Sequence, residues 1–72
     1  MKTYLIETNY NVYLVSFRTG HVAKLMAENL TLAQTEEQEI VVQNLYNPYT
    51  FFVASKLVGS EEDLKYKSQL TF

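Results

Sequence analysis

No cysteine occurs in the 72 residues, and histidine occurs once, at His21. For a chain this short, that pairing narrows the ways of holding a fold together. Folding at this size removes only about 60% of the unfolded chain's surface from water. A single core of this kind rarely supplies more than about 3–5 kcal/mol of net stability. Many small domains add disulfides or a structural metal. With no cysteine and a lone histidine, neither a disulfide nor a zinc cluster is available, which leaves packing, self-association or a partner. Six tyrosines and four phenylalanines provide large side chains for core and contact alike.

The same shortage bears on chemistry. Catalysis and transition-metal binding draw on Cys, on His, or on carboxylates held beside them, so burying and touching are the expected tasks. At 8.4 kDa the chain is expected to form one globular domain over 1–72, and its 47% hydrophobic content is that of a folded protein. The net charge is −2 and the pI about 5.2. Lys2, Arg18, Lys24, Lys56, Lys65 and Lys67 are scattered and form no stripe, which disfavours a nucleic-acid partner.

The apolar start of the chain is broken by Glu7, so no signal peptide is read, and nothing approaches the ~20 apolar residues of a membrane span. The expectation is a soluble, cytoplasmic protein with no membrane partner. Asn29-Leu30-Thr31 matches the glycosylation pattern, and without a secretory route it is read as coincidence. No cofactor is expected.

Gly20, Gly59 and Pro48 punctuate the chain. Lys2 to Thr8 and Val12 to Arg18, rich in β-branched and aromatic residues, predict a hairpin turning at Asn9-Tyr10-Asn11. Both faces of its second strand are apolar, so that strand is expected to be central. From His21 to Gln34, Val22, Leu25, Met26, Leu30 and Ala33 share one stripe at the helical period, predicting an amphipathic helix. The competing reading is a strand hairpinned through Thr19-Gly20, although Val22-Ala23 and Leu25-Met26-Ala27 break alternation.

Thr35 to Gln38 reads as a connection, or as a cap with Gln38 as its box partner. Ile40 to Tyr46 reads as a strand, because its apolar residues spread all round a helix. Asn47-Pro48 is a turn into a strand at Tyr49 to Ala54. Leu64, Tyr66, Leu70 and Phe72 alternate with polar residues and predict a last strand, although Ser60 with the acids behind it also fits a helix start. Lys65 and Lys67 would blunt such a strand's edge. The sum is an α+β fold, a mainly antiparallel five-stranded sheet with one helix in the order ββαβββ. The alternative is an all-β small barrel or sandwich. No family resemblance is carried by these residues.

A hydrolytic triad would need His21 beside a serine and Asp63, and no nucleophile elbow accompanies them, so His21 is read as an exposed turn residue. Glu36, Glu37 and Glu39, and then Glu61, Glu62 and Asp63, fall in polar connections and are read as solvated; no metal or catalytic site is assigned. Tyr4, Tyr13 and Tyr66 fall within expected strands as core or boundary residues. Tyr10, Tyr46 and Tyr49 flank turns and are the candidate partner-binding residues, since exposed tyrosine gives rigid contact area with one polar tip.

The function expected is a non-enzymatic protein–protein interaction module. It would be an accessory, inhibitor or structural subunit of the kind met among short bacterial or phage proteins, bound to a protein partner or to itself as a homo-oligomer. The alternative is a single-stranded nucleic-acid or carbohydrate binder stacking on Tyr10, Tyr13, Tyr46 and Tyr49. An enzyme using carboxylate chemistry is the third and most distant reading.

Overall fold

A computed structural model describes residues 9–70. The first described strand, β1 (Tyr10–Ser16), is buried along nearly its whole length because both of its faces are covered. Asn11, Tyr13 and Val15 point one way, Val12 and Leu14 the other. Gly20, at φ 75°, closes the following turn by donating to the Ser16 carbonyl at 2.8 Å, and Ser16 donates to the His21 carbonyl at 3.0 Å. That positive φ is open to glycine at no steric cost. The chain then returns antiparallel as β2 (Val22–Leu30).

Thr31 stops the strand and starts a helix. Its hydroxyl accepts from the Gln34 amide at 3.3 Å, while the Gln34 side chain accepts from the Thr31 amide at 3.0 Å. This reciprocal capping satisfies two amides that the first turn leaves unpaired. The helix α1 (Leu32–Leu45) ends where Tyr46 becomes extended. In the turn behind it, the Asn47 side chain accepts from the Tyr49 amide at 2.8 Å. Then β3 (Phe51–Leu57) pairs with the other edge of β1, antiparallel and without a register break. Gly59, at φ 82°, leads to Ser60, whose hydroxyl caps α2 (Glu61–Gln69) through the Asp63 amide. Glu61, Glu62 and Asp63 place negative charge at the positive end of the α2 dipole.

The sheet order is β2-β1-β3, and the helices cover opposite faces of it. On one side Ser55 of β3 donates to Glu39 of α1, and Tyr46 packs edge-on against Phe51. On the other, Tyr13, Val15 and Val22 form the core with Leu25, Phe52 and Ala54 of the sheet and Tyr66 and Leu70 from the α2 end. The Tyr13 and Tyr66 rings meet at 5.2 Å, nearly perpendicular, an arrangement that adds about 0.5–1.5 kcal/mol beyond area burial.

The fold is therefore α+β with three antiparallel strands and two helices, which corrects the five-stranded ββαβββ sheet with one helix. The expected strand Lys2–Thr8 lies outside the described residues. The expected turn at Asn9-Tyr10-Asn11 is absent: Tyr10 and Asn11 are part of β1, whose two edges are taken by β2 and β3.

The helix expected over His21–Gln34 is the strand β2. Its broken alternation is absorbed by register shifts, where Val15↔Val22 gives way to Leu14↔Lys24, and Tyr13↔Leu25 to Val12↔Ala27. Ala23 and Met26 are thus extra residues of bulges. The expected strand Ile40–Tyr46 is the second half of α1, and the cap is Thr31 with Gln34 rather than Thr35 with Gln38. The expected last strand is α2. Its period-two pattern is incidental, because the inward residues are Asp63, Tyr66 and Leu70 at helical spacing, while Leu64 faces out. Lys65 and Lys67 sit on this helix and guard no strand edge.

Candidate functional site

Two places depart from an ordinary small domain: a buried carboxylate and an apolar outer surface on α1.

Asp63 is 1% exposed, with Asn11 and Tyr13 equally enclosed. One carboxylate oxygen accepts from the Tyr13 hydroxyl at 2.5 Å and from the Asn11 amide at 2.8 Å. The other accepts from the Gly59 backbone N–H at 3.0 Å. The Asn11 side-chain oxygen accepts in turn from the Asn29 amide at 3.0 Å, at a residue whose φ is 55°. One carboxylate therefore joins the α2 N-terminus to the central strand, which itself holds the bulged end of β2.

Burial works to raise the Asp63 pKa. Hydrogen bonds from Tyr13, Gly59 and Asn11, with Lys67 nearby, outweigh it and hold the carboxyl below its ordinary value. Burial raises the pKa of the Tyr13 hydroxyl, and its hydrogen bond to Asp63 raises it further. Among the described residues, every buried side-chain nitrogen and oxygen has a partner. The Tyr13–Asp63 pair is thus satisfied by its own chain and works as a structural tie. The reading of Asp63 as a solvated loop acid is corrected, for a capping acid also points inward when its helix lies on a sheet. Glu36, Glu37, Glu61 and Glu62 are exposed, and Glu39 is half-buried against Ser55. Among the described residues no three His, Asp or Glu side chains converge as metal ligands. His21 is exposed in the β1–β2 turn, its backbone amide held by the Thr19 hydroxyl at 3.1 Å.

The second place is α1. Its inward face buries only Thr35 and Val42, with Glu39 reaching Ser55. Thr35 directs its hydroxyl back to the Thr31 carbonyl at 2.8 Å. Meanwhile Ile40, Val41 and Leu45 are 64%, 46% and 70% exposed. Val41 and Leu45, four residues apart, lie one above the other, and Ile40 lies about 100° round the helix from Val41. Tyr49, in the turn after this helix, is 89% exposed.

The three candidate tyrosines do not form one patch. Tyr10 opposes Leu57 at one end of the sheet, while Tyr46 packs on Phe51, which opposes Ser16 at the other. At ~3.3 Å per residue the two ends of β1 are about 20 Å apart. Tyr10 and Tyr46 are half-buried. Tyr49 shares its end of the molecule with Tyr46 and Leu45. Sequence reasoning missed Ile40, Val41 and Leu45 because it placed them in a strand; the signal was present as apolar residues spread round the helix.

No family model, curated protein or solved structure is significantly similar to this chain.

Proposed function

We propose that the chain is a non-enzymatic protein-interaction module whose contact surface is the outer face of α1 with the turn behind it. The reading rests on the aliphatic residues that α1 turns outward. A surface helix ordinarily turns its aliphatic residues to the core and its polar ones to water. Here Thr35, Glu39 and Val42 face the sheet while Ile40, Val41 and Leu45 face out, and Tyr49 is exposed in the turn that follows. Three large aliphatic side chains exposed on one helix, among the polar Glu36, Glu37, Gln43 and Asn44, are the material of a contact surface. Among the described residues the buried Tyr13–Asp63 pair has all its partners within the chain, which supports a binding role over a chemical one. Tyr13 is wholly buried and unavailable for stacking, so the nucleic-acid or carbohydrate reading loses a member of its set.

The test is a paired capture from cells that make the protein, using the wild-type chain and Ile40→Glu/Leu45→Glu as baits. Lys65→Glu on the exposed side of α2 serves as the control. The proposal expects one protein held by the wild type and the control and lost with the double variant, all three baits having the same circular dichroism. Equal capture by every bait refutes it.

A further inference from the structure

We infer that β3 is the junction of a twofold homodimer, its outer edge, unpaired among the described residues, pairing antiparallel with β3 of a second copy about Ala54. The Phe17 amide donates to the Thr50 carbonyl at 2.9 Å, and the Val58 amide donates to the Asn9 carbonyl at 2.8 Å. Between these bonds the β1–β3 register is unbroken. In an antiparallel ladder the peptide groups of alternate residues face alternate sides. Phe52, Ala54 and Lys56 therefore direct theirs to β1, and Phe51, Val53, Ser55 and Leu57 direct theirs away from the sheet.

Two of the outward groups are already engaged. The Phe51 N–H donates to the Asn47 carbonyl at 2.9 Å, and the Leu57 carbonyl accepts from the Ser60 amide at 3.0 Å. Left over are the N–H groups of Val53, Ser55 and Leu57 and the carbonyls of Phe51, Val53 and Ser55. Among the described residues no backbone bond uses them.

This leftover set is its own complement. A twofold axis at Ala54 puts the Val53 N–H opposite the Ser55 carbonyl of the second copy, Ser55 opposite Val53, and the Leu57 N–H opposite the Phe51 carbonyl. The groups left out, the Phe51 N–H and the Leu57 carbonyl, would have faced each other, and both are engaged within the chain. Centring the axis on Val53 would put the Ser55 carbonyl against the engaged Phe51 N–H. Centring it on Ser55 would put the Val53 N–H against the engaged Leu57 carbonyl. A foreign strand need not match this pattern of free and engaged groups, whereas a second copy at Ala54 matches it throughout.

The two edges of the sheet also differ in their protection. The β2 edge carries Lys24 and Glu28, three register shifts and a left-handed Asn29, the devices that discourage edge pairing. The β3 edge is regular and lacks proline, and its one charge is drawn aside. The Lys56 ammonium lies 3.4 Å from Glu62 and 5.3 Å above the Tyr66 ring, on the α2 face. In the Ala54-centred pairing Phe51 faces Leu57, Val53 faces Ser55 and Phe52 faces Lys56, so no like charges meet. The inference does not depend on the α1 surface, which carries none of these groups.

The test combines sedimentation velocity over a hundredfold concentration range with two variants and amide exchange. Val53→Pro removes an outward N–H and no bond to β1, a change an edge strand tolerates. It is expected to raise the dimer dissociation constant about tenfold or more, since the twofold loses that bond twice. Ala54→Cys, the sole cysteine of its chain, sits on the axis in a non-hydrogen-bonded pair with Cα atoms ~4.5 Å apart, within disulfide reach. On mild oxidation it should link two chains, and Leu45→Cys should not. In the wild type, the Val53, Ser55 and Leu57 amides should exchange more slowly as concentration rises, a readout needing no variant. A chain monomeric throughout, a dimer indifferent to Val53→Pro, or cross-linking equal at Leu45→Cys and Ala54→Cys overturns the inference.

Discussion

Replacing Asp63 separates a structural tie from a decorative acid. In Asp63→Ala, three donors lose their acceptor: the Tyr13 hydroxyl, the Asn11 amide and the Gly59 N–H, now 2.5, 2.8 and 3.0 Å from a carboxylate oxygen. Each stranded buried donor costs about 1–3 kcal/mol. Against this, the variant no longer has to bury a charge. A net loss of about 3 kcal/mol is expected, most of what a domain of this size possesses, so Asp63→Ala should keep only about 0–2 kcal/mol and melt close above 25 °C.

Asp63→Asn is the finer probe. Its remaining oxygen can still serve Tyr13 and Asn11, but its NH2 faces the Gly59 N–H, donor against donor. About 2 kcal/mol should be lost, lowering the melting temperature by roughly 8–16 °C. The pH dependence carries a sign. The folded Asp63 pKa lies below the unfolded value, so the carboxylate's contribution is fully present above about pH 4 and fades as pH falls through the folded pKa. Urea unfolding at pH 7 and pH 3 should therefore show the gap between wild type and Asp63→Asn narrowing in acid. Equal stability at pH 7, or a gap that widens in acid, would refute the reasoning.

Thr31→Ala should cost about 0.5–2 kcal/mol by removing the α1 cap, read as a lower urea midpoint with unchanged slope. Asn29→Val should lose about 1–2 kcal/mol because φ 55° crowds a branched side chain, while Asn29→Gly should fold about as well as the wild type; thermal melts compare the two. Lys56→Gln should change stability by less than about 1 kcal/mol, since its partner Glu62 is largely exposed, and a double-mutant cycle with Glu62→Gln measures the coupling. Tyr49→Ala should leave the melting temperature within about 3 °C of wild type, because an 89% exposed ring holds little of the fold.

The legible parts of the sequence were those where local chemistry and tertiary setting agree. The central strand at Val12 to Arg18 was readable because two apolar faces require cover on both sides, and Asn47-Pro48 was readable as a turn because proline fixes its own φ. The strand β2 was obscured by its bulges, since Ala23 and Met26 disrupt a period-two pattern that the register shifts restore in space. Ile40 to Leu45 was misread for the reason that makes it interesting: its apolar residues do not form one inward stripe. In α2 the alternating letters favoured a strand, whereas the Ser60 cap and the acidic first turn carried the correct signal. Of the candidate residues, Tyr49 lies fully open, while Tyr46 and Tyr10 are half-buried at opposite ends of the sheet. The Asn11–Tyr13–Asp63 tie was out of reach, because Asp63 is about fifty positions from the other two and only the fold brings it to them.

The most direct measurement of the proposed role is site-specific photocross-linking, with benzoylphenylalanine at Leu45 on the outer face of α1 or at Leu64 on the outer face of α2. Both positions are exposed and apolar; only the first lies on the helix face proposed as the contact surface. The account predicts a discrete protein adduct from position 45 and none from position 64. No adduct at 45, or the same adduct at both, would contradict it.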